Sequence, residues 1–155
     1  MDTVADFEDL LRLFARHKVK YLIVGGLAFI YHAKPRYTKD MDLWVEGSNR
    51  NIDQANEALA EFGSPELLDH GNPKQILQLG LAPNRIDVLV DVESLAFSKA
   101  WPKRIKALYG ASPAHWIDIE SLLKIKSAIR HPRHQEDARV LRQVIKMRNK
   151  KRPSR

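Results

Sequence analysis

A chain of 155 residues with 44% apolar and 29% charged side chains is long enough for one hydrophobic core and too short for two full domains. The absence of cysteine excludes disulfides, thiolate metal sites and a cysteine nucleophile, so any metal must be held by oxygen or imidazole. The net charge of +7 is carried by the second half: of 26 basic and 19 acidic residues, residues 1–80 hold nine and twelve, which leaves 17 and 7 for residues 81–155. An opening that carries Asp2, Asp6, Glu8 and Asp9 is the reverse of a secretory signal. The apolar runs around Leu22–Val24 and Gly25–Tyr31 fall short of the roughly 18 to 20 residues that span a bilayer, so the expected address is the cytoplasm without membrane association.

Val4, Phe7, Leu10, Leu11 and Phe14 recur at helical spacing among acidic residues, which predicts an amphipathic helix over residues 3–17. Lys20–Val24 is a short β-prone run ending in Gly25 and Gly26, and Leu27–Ala33 predicts a helix that starts from the glycines and stops before Pro35. Tyr37–Val45 reads as a second strand, interrupted by Lys39, Asp40 and Asp42. Ile52, Ala55, Leu59 and Phe62 form the apolar face of a helix over residues 50–62, with Gly63 as its cap and a short helical turn at Ser64 and Pro65. Gln75–Leu79 and Arg85–Asp91 read as a hairpin around Gly80–Asn84. The last third reads as helical: residues 95–103, a break at 109–113, then 119–130 and 134–147, separated by Pro132. This order predicts one α/β (α+β) domain over residues 1–148, built on a small mixed sheet flanked by helices and followed by a basic flexible tail at 149–155. Seven basic and no acidic residues between 141 and 155 leave two readings, a solvated tail or a contact to nucleic acid.

Asp40 and Asp42 stand two apart in a strand, so both carboxylates leave the same face. Their repulsion is relieved either by an oxygen-seeking divalent cation or by an edge strand whose outer face is wet. Asp87 lies among Ile86, Val88, Leu89 and Val90, where a carboxylate is rarely buried unless paired or metal bound. Asp91 shares its strand parity but leads into the next helix cap, so Asp87 is the preferred third carboxylate. Gly25 and Gly26, between a strand and a helix, permit close backbone approach and leave helix amides free for a phosphate; the alternative is a turn needed only for packing. Neither GxGxxG nor GxxxxGK is present.

The run Leu22, Ile23, Val24, Gly25, Gly26, then Arg36 and Thr38 ahead of Asp40 and Asp42, then a strand bearing Asp87, resembles the minimal nucleotidyltransferases of the DNA polymerase β superfamily. More narrowly it is similar to the AbiEii toxin-like and uncharacterised nucleotidyltransferase-like subgroup. A helical stretch with Leu122, Lys124, Lys126, Ala128 and Arg130, followed by Arg133 and Asp137, resembles that subgroup's C-terminal motif, although the segment from His131 to Asp137 is longer and contains Pro132. The resemblance implies a polymerase β-type fold with C-terminal helices and two Mg²⁺ or Mn²⁺ ions held by Asp40, Asp42 and Asp87, with Asp87 taking the acceptor proton. It further implies an NTP whose triphosphate meets Gly25, Gly26, Arg36, Thr38, Lys126 and Arg130. The implied activity is transfer of a nucleoside monophosphate to a hydroxyl of tRNA or other RNA, protein or a small molecule, and the subgroup implies a toxin or abortive-infection component, with a partner protein or homodimer completing the cleft. The competing reading is a non-catalytic regulatory or nucleic-acid-binding protein of the same fold.

Lys124 and Lys126 point to different sides of a helix, so at most one faces the cleft. His32, His115, His131 and His134 show no metal-ligand spacing and read as structural or surface residues, and Trp44, Trp101 and Trp116 as packing residues.

Overall fold

The computed structural model describes residues 3–151; Met1, Asp2 and residues 152–155, the distal part of the expected tail, lie outside the described residues. Helix α1 (Ala5–Arg16) buries Phe7, Leu10, Leu11 and Phe14, the stripe expected from the sequence. Strand β1 (Tyr21–Val24) is buried along its whole length and passes without a loop into α2 (Gly25–His32), so the helix includes the glycines and begins two residues earlier than expected. Strand β2 (Asp40–Val45) is shorter than the predicted 37–45, because Pro35–Lys39 is a loop whose Arg36 turns away to meet Asp137. Helix α3 (Asn49–Phe62) is capped by Ser48, which accepts the Asn51 amide, and by Gly63 at φ +95°. No helical turn forms at Ser64 and Pro65; bends lead to β3 (Ile76–Leu79) and β4 (Arg85–Leu89), the predicted hairpin.

The last third differs from the all-helical expectation. The predicted helix at 95–103 is reduced to α4 (Phe97–Ala100) and a 3-10 turn at Trp101–Lys103. Then β5 (Ile105–Tyr109) and β6 (Ser112–Trp116) form an antiparallel hairpin around Gly110. Pro113 lies in β6 although proline cannot donate to a ladder. It is tolerated because β6 meets β1 only at Ile23 and Trp116, so the Pro113 end of β6 has one neighbour and its missing N–H breaks no ladder on the other side. Helices α5 (Ile119–Ala128) and α6 (Pro132–Lys151) follow, with Pro132 as the first residue of α6, where its lost donor costs nothing. Asn149–Lys151 of the expected tail continue this helix.

The six strands lie in the order β3-β4-β2-β1-β6-β5, with β2/β4 and β1/β6 parallel and the other pairs antiparallel. Strand alternation sends Tyr21, Ile23, Met41, Leu43, Val45, Ile86 and Val88 into a core shared with α1 and α3. Leu22, Val24 and Trp44 face a second core with Ala28, Phe29, Leu122 and Leu141 of α2, α5 and α6. Asp40 and Asp42 share the parity of Trp44, so they point toward the α5 side of the sheet. Among the described residues no helix is long and apolar enough to cross a membrane.

Candidate active site

Register assembles the acidic cluster. The parallel pairing of β2 with β4 sets Asp42 opposite Asp87 and Asp40 opposite Arg85, and the antiparallel pairing of β1 with β2 sets Val24 opposite Asp42. One carboxylate oxygen each from Asp40, Asp42 and Asp87 lies within 4.8 Å of the others. Asp91, the rejected candidate, is an exposed partner of Lys74 on the rim of the same cleft.

Gly25 completes the inner wall. Its φ of +66° suits glycine, and a Cβ there would collide with Asp42 Oδ2. A Cβ on Gly26 would stand 2.7 Å from Thr38 Oγ1, so the second glycine lets the loop carrying Thr38 close over the start of α2. Thr38 in turn donates to the Asp40 carbonyl at 3.4 Å. Among the described residues no side chain caps the N-terminus of α2, which leaves its first amides as donors beside the carboxylates.

Arg85 bridges two of the three acids. Its Nη2 donates to Asp40 Oδ2 at 2.6 Å and to Asp87 Oδ2 at 3.2 Å, and its Nε donates to Asp87 Oδ1 at 2.9 Å. These bonds do not reach Asp42. Burial, followed by the charges of Asp40 and Asp87, pushes the Asp42 carboxyl up from 3.8 to about 7, against a smaller opposing pull from Lys126 and Arg85.

The cleft above the cluster has a volume of about 390 Å³, and its far wall is α5 with Leu122, Ile125 and Lys126. Lys126 is 3% exposed; its Nζ donates to Asp137 Oδ2 at 2.9 Å and lies 3.2 Å from His134 Nδ1. Burial lowers its pKa, and Asp137 opposes that shift. Arg36 Nη1 donates to the other oxygen of Asp137 at 2.6 Å, and the guanidinium lies 4.2 Å from the centre of the Phe29 ring. Of the basic residues expected at a triphosphate, Lys126 therefore lines the cleft, and Arg36 is engaged behind it by Asp137. Lys124 lines a separate groove with Trp44, as expected if only one of the two lysines faces the cleft. Arg130 is exposed beyond the end of α5 and is not among the residues lining the cleft.

The geometry adds roles that residue spacing did not reveal. Arg85 was read only as the start of a strand. Asp137 was only the end of a resembling motif, although its position four residues before the buried Leu141 marks it as lying on the inner face of α6. His134, read as a structural or surface residue, lines the cleft. His32 is buried against the Ile117 carbonyl at 2.7 Å, in keeping with a structural role.

No protein-family model matches the chain, and no curated protein does. Solved structures do. The chain is similar to the lincosamide antibiotic adenylyltransferase LnuA in its lincomycin-bound form, with a TM-score of 0.61 and 16% identity over 93% of this chain and 99% of that one. It is similar to ANT(2")-Ia in complex with adenylyl-2"-tobramycin, with a TM-score of 0.55 and 13% identity over 93% of each chain. It also matches an antigenic nucleotidyltransferase-like protein from Paracoccidioides brasiliensis, with a TM-score of 0.53 and 16% identity over 94% of this chain and 78% of that one. At these identities the likeness is one of fold: the chain has the polymerase β-type nucleotidyltransferase architecture, a mixed sheet flanked by helices, with an acidic cluster capable of binding divalent metal on its open face.

Proposed function

We propose that this protein is a metal-dependent nucleotidyltransferase that moves a nucleoside monophosphate from an NTP to a hydroxyl acceptor. The observation that carries the reading is the convergence of Asp40, Asp42 and Asp87 beside the uncapped start of α2, with Asp42 left unneutralised. The residues fit a divalent cation: the donors are three hard carboxylate oxygens, and the Arg85 guanidinium already bridges two of them as a stand-in positive charge. Asp40, Asp42 and Asp87 would hold Mg²⁺ or Mn²⁺, in keeping with a two-ion site, and the bound metal would neutralise phosphate charge and lower the acceptor hydroxyl's pKa.

The chain's own groups supply the rest. The amides that open α2, from Gly25 and Gly26, bind triphosphate oxygens, and Lys126 adds a cation held in place by Asp137. Arg36 and Thr38 keep the loop in position from behind. Asp87 accepts the proton of the attacking hydroxyl; the new bond forms to the α-phosphorus, and the bond to the bridging oxygen breaks to release pyrophosphate. Arg130 remains in this proposal only as a contact for an acceptor at the cleft's outer edge.

The excess of basic residues in the second half supports tRNA or another RNA as acceptor, and the sequence resemblance supports an AbiEii-like, cytoplasmic toxin or abortive-infection role. A small-molecule hydroxyl is the second acceptor reading, favoured by fold likeness to adenylyltransferases whose structures contain lincomycin and an adenylylated tobramycin. The test incubates wild type, Asp40→Asn, Asp42→Asn, Asp87→Asn and Asp91→Asn with each α-labelled NTP, Mg²⁺ or Mn²⁺, total RNA and a panel of amino-alcohol antibiotics. Transfer lost by about 10²-fold or more in the first three variants and retained in Asp91→Asn supports the assignment. Equal transfer by wild type and Asp42→Asn rejects it, and absence of divalent binding by the wild type favours the non-catalytic reading.

A further inference from the structure

A second concavity opens at the other end of β1. Where the strand begins, a cavity of about 560 Å³ lies between the end of α1 and the β5–β6 hairpin. Its floor is apolar, with Phe14, Val19 and Ala114, and its lining contains Lys18, Lys20 and Lys106 and, among the described residues, no carboxylate. All three lysines are exposed, and among the described residues none of them is held in an ion pair. Lys18 also occupies the left-handed position just after α1, at φ 56°, where glycine is the residue without strain. Burial, then the charges of Arg104 and Lys106, lower the pKa of His115 in the same lining, so its imidazole is neutral near pH 7 and the positive potential belongs to the rim.

The cavity adjoins an open strand. β5 ends the sheet, and among the described residues no strand pairs with its outer side. Lys106 and Leu108 stand two apart on one face of β5, both line the cavity, and Leu108 is 65% exposed. A strand added to β5 would carry every second side chain over the cavity. Nucleic acid fits less well, because the aromatic rings here are already packed. Phe97 stacks on Trp101, the Arg104 guanidinium lies 3.8 Å from the Trp101 ring centre, and Tyr21 is 1% exposed, so a base finds no free face. A second copy of this chain would set Lys106 of both copies along one seam, a repulsive arrangement.

We propose that the outer edge of β5 and its adjoining cavity dock an extended acidic segment of a partner protein. The segment adds as a further strand, places its apolar side chains on the face of β5 that carries the partly buried Ile105 and Ala107, and meets Lys18, Lys20 and Lys106 with its carboxylates. This surface is separate from the acidic cleft, and the proposal stands whatever chemistry the cleft performs.

The test uses the full chain and a fluorescein-labelled peptide of about eight residues that alternates Glu with Val or Leu, a length that matches a typical strand. A peptide with Lys in place of Glu and a single-stranded oligoribonucleotide serve as comparisons. We expect saturable anisotropy for the acidic peptide, weakened by salt, with amide shifts concentrated in Ile105–Tyr109. Lys18→Glu with Lys106→Glu should weaken binding by about tenfold or more. Leu108→Asp should remove the amide shifts, and melting of each variant should match wild type because all three positions are exposed. Failure of the acidic peptide to bind, binding undiminished in the charge-reversed variant, or shifts located away from β5 would overturn the proposal. Capture of the oligoribonucleotide in preference to the peptide, lost in the charge-reversed variant, would also overturn it and assign the surface to nucleic acid.

Discussion

Asp42→Asn converts the electrostatic cost of the acidic cluster into a stability measurement. In the folded protein the Asp42 carboxyl is pushed up from 3.8 to about 7, so it holds its proton more tightly than in the unfolded chain. Ionising it therefore costs folding free energy. The cost is absent below about pH 4, grows as the pH rises through the folded value near 7, and levels off above it. That gap corresponds to about 4 kcal/mol at full ionisation, and to about half as much where water reaches the open side of the cleft. Asparagine keeps the side-chain shape and carries no charge. In metal-free buffer at pH 8, Asp42→Asn should therefore be more stable than wild type by about 2–4 kcal/mol, or roughly 5–15 °C in Tm for a domain of this size. Urea denaturation of chelator-treated protein between pH 4.5 and 8.5 measures the difference, which should be small at the acid end and widen toward neutrality. Added Mg²⁺ should close the gap by stabilising wild type alone. A variant less stable than wild type at pH 8, or a difference that does not vary with pH, would refute the electrostatic account.

Gly25→Ala should lose at least about 1–2 kcal/mol from its left-handed backbone alone. Because its Cβ meets the Asp42 carboxylate, it should also lose the stabilisation by Mg²⁺, read from thermal melts with and without the ion. Asp137→Asn leaves Lys126 and Arg36 without their buried counter-charge and should cost about 3 kcal/mol in urea denaturation. Glu136→Gln, at an exposed pair with Arg139, should leave the melt unchanged. A chain ending at Arg148 should melt within a few degrees of the full chain, since the side chains of residues 149–151 are exposed; a loss above about 10 °C would show that this end packs.

The acidic cluster was legible in the sequence because its signals are local. Two-residue spacing on a strand fixes Asp40 and Asp42 to one face, and Asp87 stood out as a carboxylate within an apolar run. The Gly25–Gly26 turn was equally local, although its physical reason, the approach of Asp42 Oδ2 and Thr38 Oγ1, lies in tertiary structure. Arg85 escaped notice because its contact with Asp40 depends on the parallel register of β2 and β4, which short-range periodicity does not encode. Asp137 meets Arg36 across 101 positions, and only the burial of its helix face hinted at it. The β5–β6 hairpin was lost to composition: Ser112, Pro113 and Lys106 are poor strand signals taken singly, and the hairpin exists because Trp116 and Tyr109 bury against the α1 side of the sheet.

The wiring of the cleft also bears on how the protein is made. Asp40 and Arg85 are 45 positions apart, and Arg36 waits for Asp137, which lies on the last helix. During synthesis, β2 therefore leaves the ribosome well before β4 can pair with it, and Lys126 emerges before the carboxylate that holds it. A chain released early by a nonsense mutation or by ribosome stalling between Asp87 and Asp137 would carry all three cluster acids and still lack the support for the wall that faces them. Such fragments should be inert, so a cell in which the finished protein is harmful would be protected from its unfinished copies by topology alone.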